Sequence, residues 1–311
     1  MLDKKEIAVI IPVYNESKNI RELVDRIVKS IKKFTDSYQI VFVNDGSRDD
    51  SQAKLIALCE SNNQCYYISF SRNFGHQIAV SAGLEYTNAN CTVIIDGDLQ
   101  DPPELIPELY QKYKEGFDVV YAKREKRQGE TILKKITAKL FYRMLENITS
   151  FSIPLDVGDF RLIDKKVVTA LNNMPEQHKF LRGQIAWLGY KSTDVSYIRD
   201  SRKYGRTNYS YGKMFKLAFD AITGFSDKPL RFMSRMGFVI SFISFLIIIY
   251  AMISHFILDK TVTGWTSLII SFSFIGGIQL LSIGLIGEYI SRISTDVKKR
   301  PMYIISETNI D

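Results

Sequence analysis

Two long uncharged stretches dominate the last part of the chain. From Met236 to Leu258 there is no Asp, Glu, Lys or Arg, and after Asp259 and Lys260 none occurs again from Thr261 to Gly287. Each stretch exceeds the roughly 20 residues that a helix needs to cross a ~30 Å hydrocarbon core. The alternative is a pair of buried core helices, which a soluble domain of this size has little protein to enclose. The pattern therefore predicts a membrane segment over 232–290, with two transmembrane helices at about 236–258 and 265–287 joined by a short turn. Lys228, Arg231 and Arg235 precede the pair, and Arg292, Lys298, Lys299 and Arg300 follow it. By the positive-inside tendency both flanks belong in the cytosol, with the hairpin tip outside. The start, Met1–Val13, has too short an apolar run for a signal peptide. The N-terminal part is expected to stay in the cytosol, and residues 291–311 to form a cytosolic basic tail. A two-span hairpin would also pack well against copies of itself, so a homo-oligomer is expected.

The region before the hairpin alternates strand and helix signals. Ile7–Val13 is a continuous apolar run of the kind that forms a strand buried on both faces. Ser17 is placed to cap a helix in which Ile20, Leu23, Val24, Ile27, Val28 and Ile31 recur at helical spacing. Further strands are expected at Ile40–Val43, Tyr66–Phe70, Val93–Ile95 and Val119–Tyr121, with a helix carrying Leu55, Ile56 and Leu58 between the first two of these. Such alternation predicts an α/β domain over residues 1–210 built on a mainly parallel, Rossmann-like sheet. Between it and the membrane, residues 211–231 place Met214, Phe215, Leu217, Ala218, Ala221, Ile222 and Phe225 among lysines, the pattern of a juxtamembrane amphipathic helix; packing on the sheet is the other reading. Cys59, Cys65 and Cys91 form no Cys-x-x-Cys pair and have no histidine at metal-ligand spacing, so they are expected to pack as small apolar residues in a reducing compartment.

In open parallel sheets ligands bind beyond the carboxyl ends of the strands. Pro12-Val13-Tyr14-Asn15-Glu16 ends the first strand, Asn44-Asp45-Gly46-Ser47 follows the second, and Asp96-Gly97-Asp98-Leu99-Gln100-Asp101-Pro102-Pro103-Glu104 follows the fourth. Three acidic clusters on one rim repel one another unless a cation or hydrogen-bond donors compensate them. Asp96 and Asp98, separated by a glycine, can face one cation, with Gln100 adding a neutral oxygen; oxygen ligands suit Mg²⁺ or Mn²⁺. A tight turn with helix-capping aspartates is the competing reading. No Gly-x-Gly-x-x-Gly or Gly-Lys-Ser/Thr loop follows the first strand, which argues against a dinucleotide oxidoreductase or an NTPase. His76, His178 and His255 are scattered, and no Ser-His-Asp order is evident. The formal charge of +7 would fit an anionic membrane, a phosphate ligand or nucleic acid. Basic residues beside the apolar runs favour the membrane, and no nucleic-acid partner is expected.

These strings, together with Phe70-Ser71-Arg72-Asn73-Phe74-Gly75-His76, resemble those of family 2 glycosyltransferases of GT-A fold. Within that family the chain is similar to the polyprenyl-phosphate glycosyltransferases: dolichol-phosphate mannose synthases, bacterial bactoprenol glucosyltransferases and the transferase for formylated aminoarabinose. Gly158-Asp159-Phe160-Arg161-Leu162, Phe180-Leu181-Arg182-Gly183, Arg202-x-x-Gly205-x-Thr207-Asn208-Tyr209 and Gly287-Glu288-Tyr289-Ile290-x-Arg292 extend the likeness over nearly the whole chain. Gly97 and Asn208 depart from it, where Ala and Lys are more usual.

The resemblance implies that Pro12, Tyr14, Glu16 and Asp45 hold the base and ribose of a nucleotide sugar. Asp96 would sit by the ribose and the metal, with Asp98 and Gln100 as metal ligands. Arg124, Lys134 and Arg202 would engage the acceptor phosphate and donor diphosphate, and Asp159 would lie at the reaction centre, orienting an arginine or the acceptor. The implied partners are a nucleotide sugar donor, a polyprenyl phosphate acceptor and the bacterial cytoplasmic membrane, with the catalytic domain cytosolic. Phe180–Trp187 leans towards the bactoprenol group and hence UDP-glucose; UDP-N-acetylhexosamine, GDP-mannose and a UDP-aminoarabinose derivative are the alternative donors. A processive polysaccharide synthase is disfavoured by the missing Gln-x-x-Arg-Trp string. A non-catalytic nucleotide-sugar-binding scaffold is disfavoured by the presence of Asp45, Asp96 and Asp98.

Overall fold

Parallel strands with no polar face force the chain to cover its sheet on both sides, and the helices sort accordingly. The computed structural model describes residues 2–125, 157–198, 228–256 and 264–310. Strands β1 (Lys5–Val13), β2 (Tyr38–Asn44), β3 (Cys65–Phe70) and β4 (Ala89–Ile94) form a parallel core in the order β4-β1-β2-β3. Ile7, Val9 and Ile11 face α1 (Ile20–Ile31), α2 (Ser51–Ser61) and α4 (Ile106–Lys114). The opposite face packs on α3 (His76–Tyr86), α5 (Lys165–Asn172) and α6 (Leu181–Leu188) through Ile10, Val41 and Val43.

The expected α/β sheet is present, and its four core strands lie where the apolar runs place them. Three further strands were not expected. β6 (Val157–Asp164) runs antiparallel between β4 and β5 (Val119–Arg124), and β7 (Ser192–Tyr197) runs parallel to β5. Because β6 is reversed, its beginning lies at the rim where the parallel strands end; Ile94 pairs with Arg161. The capping role expected of Ser17 is not found: Asn19 is the N-cap residue of α1, and the Ser17 amide donates to Asp49 Oδ2 at 3.2 Å. The cysteines are free and buried, and burial pushes the Cys59 and Cys65 thiols up to about 12.

The third unexpected strand corrects the reading of residues 291–311 as a basic tail. Helix α8 (Trp265–Lys298) carries the first eight of those residues. The chain then rejoins the sheet as β8 (Ile305–Thr308), antiparallel to β3. Tyr303 stacks on Phe70 with ring centroids 4.9 Å apart, and Ile310 is buried beside Val41, Val43 and Ile68. Asn309 Oδ1 accepts from the Tyr67 amide at 2.7 Å, and the Ser71 amide donates to the Ile304 carbonyl at 3.0 Å. An edge that would offer unpaired backbone groups is thereby closed.

The chain divides into two compact units, residues 1–214 with 300–311, and residues 215–299. In the second, α7 (Lys228–Phe256) and α8 are long and apolar enough to cross a membrane. The first starts eight residues before the uncharged run, and the second continues beyond it to Lys298. Phe238, Phe242, Phe245, Phe272, Leu280 and Leu281 are all exposed, which suits a lipid solvent rather than water. The amphipathic stretch proposed at 211–225 lies outside the described residues. If the C-terminal strand belongs to the core, Ile310→Ala in the full-length protein removes about 2 kcal/mol and lowers the thermal midpoint. An unchanged midpoint would show that the strand contributes no packing energy.

Candidate active site

The loop after β2 is fixed by one carboxylate. Asp45 is buried; its Oδ1 accepts from the Phe74 amide at 2.6 Å, and its Oδ1 and Oδ2 accept from the Gly75 amide at 3.2 and 3.0 Å. Burial raises its pKa, and the backbone donors only partly offset that. Gly46 makes the approach of the two loops possible. It has φ +65°, and a Cβ there would lie 2.5 Å from the Arg72 carbonyl carbon. On the β1 side, Asn15, also at positive φ, donates its amide to Ser47 Oγ and accepts the Arg48 amide on Oδ1. The β1, β2 and β3 loops thus form one interlocked rim.

Three basic groups meet at Asp159, near the start of β6. Arg182, in the first turn of α6, donates Nε to Oδ1 at 2.9 Å and Nη2 to Oδ2 at 3.2 Å, a bidentate grip. Arg161 Nη2 lies 3.2 Å from Oδ1, and His76 Nε2 lies 3.2 Å from Oδ2. Burial opposes the charged form of Asp159, but Arg182 and His76 hold its pKa well below the usual carboxylate range. For His76, burial pulls downward and is outweighed by the Asp159 hydrogen bond and the Asp96 charge, taking the imidazole up to about 9. A carboxylate so firmly ionised is a poor proton acceptor.

Asp96 has no such support. Its Oδ1 is buried with no hydrogen-bond partner among the described residues, and His76 Nε2 stands 3.6 Å away. Burial raises its pKa to about 6; His76 works against this, while Asp159, Asp101 and Asp98 add to it. A desolvated, underpartnered carboxylate oxygen fits a site for a cation. Ligand atoms of His76, Asp96 and Asp159 lie within 4.8 Å of one another, and Asp98 does not join that group. Asp98 is buried in the same turn, where its Oδ1 accepts the Gln100 amide at 3.1 Å. That contact is a local turn bond; no aspartate caps the short helical turn at Pro103–Leu105, whose N-cap residue is Pro102. The turn is strained at Leu99, a buried leucine with φ +59°. Left-handed backbone costs about 1–2 kcal/mol at such a residue, which burial of the side chain offsets.

Comparison with known proteins agrees with the motifs. The sequence profile described as glycosyl transferase family 2 matches residues 8–171. The chain belongs to glycosyl transferase family 2. A second profile, the GtrB C-terminal hairpin, matches residues 228–293. The uncharacterized glycosyltransferase YkcC of Bacillus subtilis is 46% identical over 97% of this chain and 93% of its own length. The bactoprenol glucosyl transferase of Shigella phage SfII is 38% identical over 98% of both chains. Among solved structures, glucosyl-3-phosphoglycerate synthase from Mycobacterium tuberculosis superposes with a TM-score of 0.50 at 19% identity, covering 70% of this chain and 78% of the other. A mannosyltransferase from Pyrobaculum calidifontis, solved with GDP-Man and Mn²⁺, also gives 0.50, at 14% identity and 71% and 63% coverage. The sheet is that of the GT-A fold, and the chain is a membrane-associated glycosyltransferase.

Of the residues expected to form this glycosyltransferase site, Asp96 and Asp159 are brought together through His76. Pro12 is buried at the end of β1, Tyr14 is exposed beyond it, and Glu16 accepts from Asn19 Nδ2 at 2.6 Å. Arg124 turns inward. Its Nε donates to the Tyr197 hydroxyl at 3.1 Å, its Nη2 lies 3.6 Å from Asp101 Oδ1, and Tyr197 donates to that same oxygen. Lys134 and Arg202 lie outside the described residues. The sequence reading assigned no role to His76, Arg161, Arg182 or Tyr197. The first three stood inside the strings that carried the resemblance, whereas nothing in the sequence marked Tyr197. Gly46→Ala should force the Arg72–Gly75 backbone away from Asp45 and weaken UDP or GDP binding by about tenfold or more. Calorimetric titration checks this; unchanged affinity would mean that the interlocked loops do not shape the nucleotide site.

Proposed function

We propose that the chain transfers a sugar, with inversion at the anomeric carbon, from a nucleotide sugar to polyprenyl phosphate at the cytosolic face of the bacterial cytoplasmic membrane. The observation that carries the acceptor is a hairpin with outward apolar side chains inserted within a glycosyltransferase chain. The sheet supplies a topological argument for the hairpin. Residues 1–214 and 300–311 belong to one sheet-containing unit, so any membrane crossings between them must be even in number. Two crossings with basic flanks favour the cytosol for that unit by the positive-inside tendency. The near full-length likeness to bactoprenol glucosyl transferases favours undecaprenyl phosphate as acceptor and UDP-glucose as donor, with UDP-N-acetylhexosamine second.

The chemistry follows from charge. A phosphate monoester has its second pKa near ~6, so the acceptor is already largely ionised at cytosolic pH. No strong base is needed, and Asp159, held ionised by Arg182 and His76, does not act as one. Its work is to orient Arg182 and Arg161, whose guanidinium groups lower the potential where two anionic substrates approach. Lys134 and Arg202 would add phosphate contacts. Arg124 would act by bracing Asp101 behind the acidic turn. Pro12, Tyr14, Glu16 and Asp45 would border the base and ribose. Asp96, Asp98 and Gln100 would hold Mg²⁺ or Mn²⁺, which when bound neutralises charge on the departing diphosphate.

The decisive experiment incubates the detergent-solubilised full chain with undecaprenyl phosphate and a panel of labelled nucleotide sugars. UDP-glucose is expected to give the most lipid-linked product, and Asp98→Ala to lower the rate by about 100-fold. No product from any donor would overturn the transferase reading, and equal product from Asp98→Ala would refute the metal assignment.

A further inference from the structure

His76 is mounted with unusual care for a half-exposed side chain. It is the first residue of α3, directly after Phe74 and Gly75, whose amides are both held by Asp45. The loop is braced from the other side by the C-terminal strand. The Ser71 amide donates to Ile304, Phe70 stacks on Tyr303, and Phe74 packs edge-on against Phe70 with centroids 5.6 Å apart. Beyond His76, α3 is anchored by buried Ala79, Val80, Ala82 and Leu84. The ring therefore projects from a fixed backbone. Its Nε2 stands 3.2 Å from Asp159 Oδ2 and 3.6 Å from Asp96 Oδ1, spanning the beginning of β6 and the end of β4.

We propose that His76 is a positioning residue for sugar transfer, a strut that sets the separation between the donor-side carboxylate Asp96 and the acceptor-side cluster of Asp159 and Arg182. The proposal rests on the function given above, with the donor by Asp96 and the two anionic substrates meeting at Arg182, and adds that the acceptor phosphate lies on the Arg182 side. Without the ring, Asp159 Oδ2 loses its link to α3, and its spacing from Asp96 Oδ1 is no longer set from that side. A shift of Asp159 carries Arg182 with it, because their contact is bidentate. A misplacement of about 1 Å between two reacting groups costs on the order of 100-fold in rate. Contacts to the base and ribose, by contrast, would come from the β1 and β2 loops, whereas the His76 ring stands against Asp159 and Asp96, at 3.2 and 3.6 Å.

The test compares His76→Ala and His76→Gln in the full-length protein, measuring Mn²⁺-dependent UDP affinity, kcat and KM for transfer from UDP-glucose to undecaprenyl phosphate. His76→Ala is expected to lower kcat by about 30-fold or more while UDP affinity stays within about threefold. His76→Gln, whose amide nitrogen can reach the position of Nε2, is expected to recover most of the loss. A role confined to stability would lower the folded fraction without this split and without rescue by glutamine. The proposal is overturned if His76→Ala keeps kcat within about twofold, if UDP affinity falls in step with kcat, or if glutamine restores nothing. Absence of lipid product from the unmutated chain with every donor instead overturns the acceptor reading, and this proposal with it.

Discussion

A carboxylate withdrawn from water needs hydrogen-bond donors or a cation beside it, and the catalytic rim is arranged around that demand. Each acidic group on the rim meets it differently. Asp45 takes backbone amides from the next loop, Asp101 takes the Tyr197 hydroxyl with Arg124 behind it, and Asp159 takes two guanidinium groups and an imidazole. Each solution ties together segments far apart in sequence, so the rim's shape follows from its electrostatics. Asp96 is the contrast. Its buried Oδ1 has only the distant His76 ring, and its pKa is drawn upward accordingly. A buried carboxylate oxygen in that condition is of the kind that a cation satisfies.

The C-terminal strand extends the same logic from electrostatics to topology. Without β8, strand β3 would be an open edge, and the loop leaving it would lose the Ile304 carbonyl and the Tyr303 ring. That loop supplies the amides held by Asp45 and the backbone that carries His76. The last residues of the chain therefore support the first acidic loops, although almost the whole sequence separates them. The edge strand can join the sheet only after the helical segment has been synthesised.

Much of this was legible in the sequence, and the remainder fails for identifiable reasons. Strands β1 to β4 are continuous apolar runs because helices cover both faces, and such runs are easy to read. The carboxylates at their ends followed directly. β6 and β7 gave weaker signals: Gly158, Asp159 and Arg161 interrupt one, and Ser192–Tyr197 is polar at every second position. β8 is short, exposed on one side, and follows a basic flank that resembles an ordinary tail. His76 and Arg182 were missed for another reason. Their significance lies in a meeting at Asp159 that needs α3, α6 and β6 to be docked, and no local pattern encodes such a meeting. Arg124 has contacts that no local pattern signalled either, to Asp101 and Tyr197.

What the geometry contributes to the chemistry is a change in the role of the central carboxylate. A general base must be able to take a proton near neutral pH. Asp159 is surrounded by donors that stabilise its charged form, so protonation would break the bidentate arginine contact and leave two guanidinium groups without their anion. The same arrangement suits a reaction whose nucleophile arrives already charged. The protein's cost then lies in bringing anions together, and fixed positive groups lower it without any proton transfer. A phosphate acceptor makes no demand for a proton acceptor, so the ionised Asp159 and its two arginines suit it, while the hairpin remains the feature that points to a lipid.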